Sequence, residues 1–118
     1  MYIQVWENTT AYDEGLAQRI RELIQDRLGF EEKKVFGGVG FMLRGNMACG
    51  VHNDSLVVRL EPERNDEVLS RPHVRSFDIT GRPIRGWVMV EPAGCEEDEQ
   101  LQGWVQQGVD FALTLPAK

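Results

Sequence analysis

The sequence predicts an α+β fold: two layers, a mostly antiparallel sheet and helices, in the order helix, three strands, helix, two strands, helix (α-β-β-β-α-β-β-α). Three observations predict it. Leu16, Ile20, Leu23, Ile24 and Leu28 recur on one helical stripe between Tyr12 and Leu28. From Val35 to Leu60 the apolar period changes to two, punctuated at Arg44-Gly45-Asn46 and Asn53-Asp54. A longer helical stripe, Leu101, Trp104, Val105, Gly108, Phe111, Ala112 and Leu115, closes the chain.

Each element follows in turn. Thr9 or Thr10 supplies an N-cap for the first helix, Asp13 and Glu14 suit its positive end, and Gly29 stands just past its end. Before it, "YIQVWE" alternates and reads as a short added strand or a disordered leader. "VGFML", "MACGVH" and "SLVVRL" form a three-stranded meander. With two-residue turns, Met42, Met47, Cys49, Val51, Leu56, Val58 and Leu60 share one face. Val39, Phe41, Leu43, Ala48, Gly50, Val57 and Arg59 then share the other, with Phe41 near Gly50. Both faces are apolar, so the second is expected to be covered by another element or by a second copy of the chain. "PERNDEVLS" reads as a short helix between Pro62 and Pro72. "VRSFDI" and "GWVMVE" are strands joined by the turn chemistry of "TGRPIRG", with Trp87 and Met89 on one side and Val88 and Val90 on the other. The last helix runs from Glu97 to Leu115, acidic in its first turn. Gly108 in its apolar stripe predicts close approach of another backbone.

The chain of 118 residues has the size of one domain. No apolar run reaches the length that spans a bilayer and no secretory signal is visible, so a cytoplasmic location is expected. Cys49 and Cys95 belong to no CxxC pair and have no metal-ligand spacing to His52 or His73. They read as reduced thiols, with no metal site. The net charge of −6 argues against nucleic acid binding through the phosphate backbone. The charge is uneven: Arg71, Arg75, Arg82 and Arg85 face only Asp78 between Arg71 and Val88, whereas Glu91 to Asp110 holds six acids and no base.

No catalytic constellation emerges. Gly38-Val39-Gly40 leads into strand residues, so no helix N-terminus opens to hold a phosphate. Cys49 and His52 lie on opposite faces of their strand. The acids of "CEEDEQ" fan around a helical turn and read as solvated surface. Catalytic, cofactor-binding and metal residues are therefore predicted as none.

Three blocks, "KKVFGGVGFMLRGNMACGV" (Lys33 to Val51), "LVVRLEPE" (Leu56 to Glu63) and "FDITGRPIRGWVMVEP" (Phe77 to Pro92), with their spacing, resemble the N-terminal domain of the TfoX (Sxy) family of bacterial proteins. The resemblance covers nearly everything from Ala11 to Lys118. It implies a two-layer fold of the predicted order, similar in layout to small secretion-chaperone-like domains. It also implies a regulatory role: the best-known members help a transcription activator at competence promoters. Fuller members carry a second, C-terminal helical domain, whereas this sequence reaches Lys118 after the first. The expected organisation is a leader over residues 1–10 and one domain over 11–118. The expected function is non-enzymatic regulation through protein contacts, with a transcription activator or a second copy as partner and no cofactor. The expected contact surface is Phe41, Leu43, Val57 and Arg59, rimmed by Arg75, Arg82 and Arg85. The alternative is a small-ligand-binding domain or enzyme, whose mark would be a polar cavity near Cys95, His73 or the arginines.

Overall fold

A computed structural model describes residues 12–35, 37–78 and 81–118. The leader and the cap candidates Thr9 and Thr10 lie outside these residues. Asp13 is the cap of α1 (Glu14–Ile24): its Oδ1 accepts from the Leu16 amide at 3.1 Å. The helix stops at Ile24, so Leu28 never joins the buried stripe and is 92% exposed.

The chain then forms a strand absent from the sequence prediction, β1 (Phe30–Val35). Its sequence, FEEKKV, has four consecutive charges and no two-residue apolar period, because β1 is an edge strand with little to bury. It is tied to α1 by Arg21, whose Nε and Nη2 donate to Glu32 Oε1 and Oε2 at 2.8 and 2.7 Å. These hydrogen bonds hold the Glu32 carboxyl below its ordinary value of 4.5. A depressed carboxyl adds stability above its unfolded value and loses it as pH falls through the folded one. Glu32→Gln is thus expected to flatten the decline in urea midpoint below pH 4.5, measured against wild type across acid pH.

Next come β2 (Gly38–Leu43), β3 (Asn46–His52) and β4 (Ser55–Arg59), then a 3-10 turn at Pro62–Arg64 and α2 (Asn65–Leu69). β5 (Val74–Ser76), β6 (Trp87–Val90) and α3 (Asp98–Thr114) complete the chain. The strands form one antiparallel sheet in the order β1-β2-β3-β4-β6-β5. The predicted α+β class holds, with β1 extending the meander to four strands.

The β2–β3 turn is Arg44-Gly45, with φ of 52° and 86°. Positive φ at both positions matches the twist of a two-residue hairpin. Beyond it the register departs from the prediction. Met42 pairs with Met47, but Phe41 pairs with Cys49, leaving Ala48 as a β-bulge. One extra residue exchanges the faces of everything beyond it. Phe41, Cys49 and Val58 therefore face the helices together, and Gly40, not Phe41, lies opposite Gly50.

All three helices pack on that face. Leu16, Ala17, Ile20 and Ile24 of α1, Val68 of α2 and Leu101, Trp104, Val105, Val109 and Ala112 of α3 join the sheet residues in one core. α3 crosses closest at Gly108, where a Cβ would collide with the carbonyl oxygen of bulged Ala48. The close backbone approach expected at Gly108 is thus present.

Candidate contact surface

The second face of the sheet carries its own apolar cluster. Met47, Val57, Phe77 and Met89 are buried there, with Val35, Met42 and Trp87 half-buried around them. Trp87 sits opposite Arg59 in the β4–β6 register, and its ring stacks on Phe77 at 5.8 Å between centroids. The Arg59 guanidinium lies 5.1 Å from the Trp87 centroid and 5.5 Å from that of Phe111 on α3. Both are cation–π distances, so Arg59 joins the second face to the helix layer. It has no carboxylate partner among the described residues, and burial pushes its pKa down. Arg75 is on the same face, opposite Met89, with its Nε 3.4 Å from Glu91.

The residues expected to form the surface therefore divide. Phe41 and Leu43 are fully buried in the helix-side core, which corrects their assignment to the contact surface; the bulge at Ala48 is the reason for the reversed face of Phe41 relative to β3. Val57 is on the second face but only 1% exposed, so it supports that face from beneath. Arg59 and Arg75 are brought together on it. Arg82 and Arg85 are exposed on the segment between β5 and β6. Arg85 turns toward α2, 3.4 Å from Asp66 and 3.0 Å from the Pro62 carbonyl, whereas Arg82 meets no acid among the described residues. Sequence reasoning missed Trp87 and Phe111 as neighbours of Arg59. Trp87 shares the two-residue period with Met89, but its meeting with Arg59 needs the β4–β6 pairing, which crosses α2 and β5.

Two open hollows lie beside Cys95, His73 and the arginines, both lined more by apolar than by polar surface, so neither is the polar cavity named as the mark of a ligand site. One of about 430 Å³ is lined by Asp13, Leu16, Arg19, Asp54, Pro92 and Cys95, among others. Arg19 spans its wall, donating to the Cys95 and Glu96 carbonyls at 3.3 and 3.0 Å and to Asp98 at 3.1 Å. The Cys95 thiol points to the Glu91 carbonyl at 3.7 Å, and burial pushes its pKa up. A second cavity of about 340 Å³ lies beside Arg71, His73 and Trp104. Neither assembles a nucleophile with a base. Among the described residues no His, Cys, Asp and Glu group could hold a metal ion, and no helix is long and apolar enough to cross a membrane.

Both cysteines are free and buried, and burial raises the Cys49 thiol to about 12. A thiol reacts through its thiolate. Iodoacetamide at mildly alkaline pH is expected to leave both cysteines unlabelled in the native protein and to label both in urea, read by intact mass. Prompt native labelling of Cys95 would instead show that its cavity opens to solvent.

An antiparallel six-stranded sheet with three helices on one face makes this a two-layer α+β domain, and its described residues present no assembled catalytic group. The model of the TfoX N-terminal domain matches residues 22–112, and the chain belongs to that family, one of competence-related regulatory domains and not a known enzyme family. No curated protein matches the chain.

Proposed function

We propose that this domain acts without catalysis, in the cytoplasm, as a regulator that binds a protein partner through the second sheet face, and that the partner is a transcription activator serving competence-type genes. Family membership supports the regulatory role. The observation that carries the surface is Arg59: a half-buried guanidinium held between Trp87 and Phe111 with no carboxylate of its own among the described residues. Burying a charge without a partner is costly, and an acid from another protein would offset that cost. Arg75 stands on the same face, opposite Met89, on a chain that is acidic overall.

The test is a strain lacking the gene, complemented with wild type, Arg59→Glu or Arg75→Glu, with a competence-type promoter reporter and affinity capture of the activator. Loss of reporter signal on deletion, rescue by wild type and failure of Arg59→Glu with retained circular dichroism are expected. A reporter indifferent to the deletion would remove the competence reading; capture indifferent to both substitutions would remove the surface.

A second reading, a small-ligand site, has the cavity between Arg19 and Cys95 in its favour. Its mark would be a thermal shift with a cellular metabolite that Ala93→Trp, which fills the cavity from an exposed position, abolishes.

A further inference from the structure

We propose that β1 is an interface between copies of this chain: two β1 strands pair antiparallel about a two-fold axis and join two sheets into one. β1 is a sheet edge six residues long. The Arg44 amide donates to the Gly29 carbonyl at 3.0 Å, so in the β1–β2 register Glu31, Lys33 and Val35 turn their backbone groups to β2. Those of Glu32 and Lys34 point away from the sheet and meet no partner among the described residues. The Phe30 amide also turns outward, to the Arg27 carbonyl at 3.2 Å, and the Phe30 carbonyl is left free. Such a row of unpaired groups is a template for another strand.

The charges of β1 decide which strand fits. FEEKKV carries two acids and then two bases, so a reversed copy sets acid against base. Facing residues of an antiparallel pair share a face, so the axis passes beside a single residue, Glu32 or Lys33. With Glu32 on the axis, Glu31 of each copy faces Lys33 of the other. Both side chains are exposed and have no ion pair among the described residues. The two Glu32 carboxylates then meet, but each is already held by its own Arg21 at 2.8 and 2.7 Å. With Lys33 on the axis, two ammonium groups that no acid holds would face each other. Like charges directly opposite destabilise a strand pair, which selects the Glu32 register.

In that register each Glu32 amide donates to the Glu32 carbonyl of the other copy, and each Lys34 amide to the other copy's Phe30 carbonyl. A self-complementary strand gives a closed contact that stops at two copies. β5, the opposite edge, has three residues and one charge, Arg75, so a second β5 holds no acid to meet it. The axis stands perpendicular to the sheet, so the faces carrying Arg59 and Trp87 point the same way in both copies. The ion pairs across β1 are exposed and the strand buries little, so the dimer is weak and salt-sensitive.

Sedimentation equilibrium and amide exchange by NMR over a rising concentration series test this, on wild type, Glu31→Lys, Lys33→Glu, the double variant carrying both, and Lys34→Pro. Wild type is expected to reach a reversible monomer–dimer equilibrium at low salt, with the Glu32 and Lys34 amides gaining protection as concentration rises. Either single reversal sets like charges opposite on both sides of the axis and should raise the dissociation constant about tenfold. The double variant should restore it. Lys34→Pro removes an outward N–H, which an edge strand tolerates, and should leave a monomer with the wild-type circular dichroism spectrum. The Glu31 and Lys33 variants change exposed side chains and decide the matter whether or not Lys34→Pro folds. A wild-type monomer throughout, a dimer whose Glu32 and Lys34 amides stay unprotected, growth beyond two copies or a double variant no tighter than the single ones would each overturn the proposal.

Discussion

Phe41→Ala is expected to destabilise the fold by about 3–5 kcal/mol, the range for emptying a buried aromatic site. Phe41 is fully buried at the centre of β2, opposite Cys49 and under the helix layer. Its ring also stacks on Phe30, with centroids 6.2 Å apart. Neighbours from a paired sheet cannot close over the space, so both transfer and cavity costs apply. Urea unfolding followed by circular dichroism measures the effect. A loss below about 1 kcal/mol would return Phe41 to the surface, where substitutions away from special features cost little. An Arg75→Ala variant serves as a contrast. Its ion pair with Glu91 is about half exposed on both sides, and exposed pairs contribute little.

Gly108→Val is expected to cost about 3 kcal/mol, the upper range for overpacking a tight contact. The added Cβ would meet backbone, the Ala48 carbonyl, and backbone cannot rotate away as a side chain can. α3 must then lift from the bulge, loosening Val105, Val109 and Ala112 together. Gly103 is the control within the same helix. Nothing lies within 4 Å of a Cβ built there, so Gly103→Ala should stabilise by about 0.5–1 kcal/mol through helix propensity. Opposite signs from two glycines in one helix, read in the same urea titration, would separate contact from propensity. Equal effects would contradict the close crossing.

Much of the fold was legible because local patterns suffice for it. The two long helices carry apolar stripes, the central strands alternate, and Arg44-Gly45 and Asn53-Asp54 stand between them as turns. Three features were not legible, each for a definite reason. β1 is charged along its length and becomes a strand only because β2 offers an edge to pair with. The bulge at Ala48 has no sequence mark, since Met47, Ala48 and Cys49 fit either face. Leu28 continues the stripe of α1 in period, yet the helix has already ended at Ile24. The contact surface depended on the bulge. Counting twos across the bulge assigned Phe41 and Leu43 to the outside, while Arg59 and Arg75 reached the second face as alternation on their own strands required.

The sequence by itself determined the α+β class, the order of most elements, the family and the absence of an evident catalytic motif. These rest on the spacing of apolar residues and turn formers within short stretches of chain. The tertiary structure alone decided which sheet face the helices cover, that Arg59 lies between Trp87 and Phe111, and that Leu28 is left outside the core. Those outcomes depend on register and on contacts between residues far apart in the chain, where a shift of one residue reverses a side chain's direction and no local pattern records the choice.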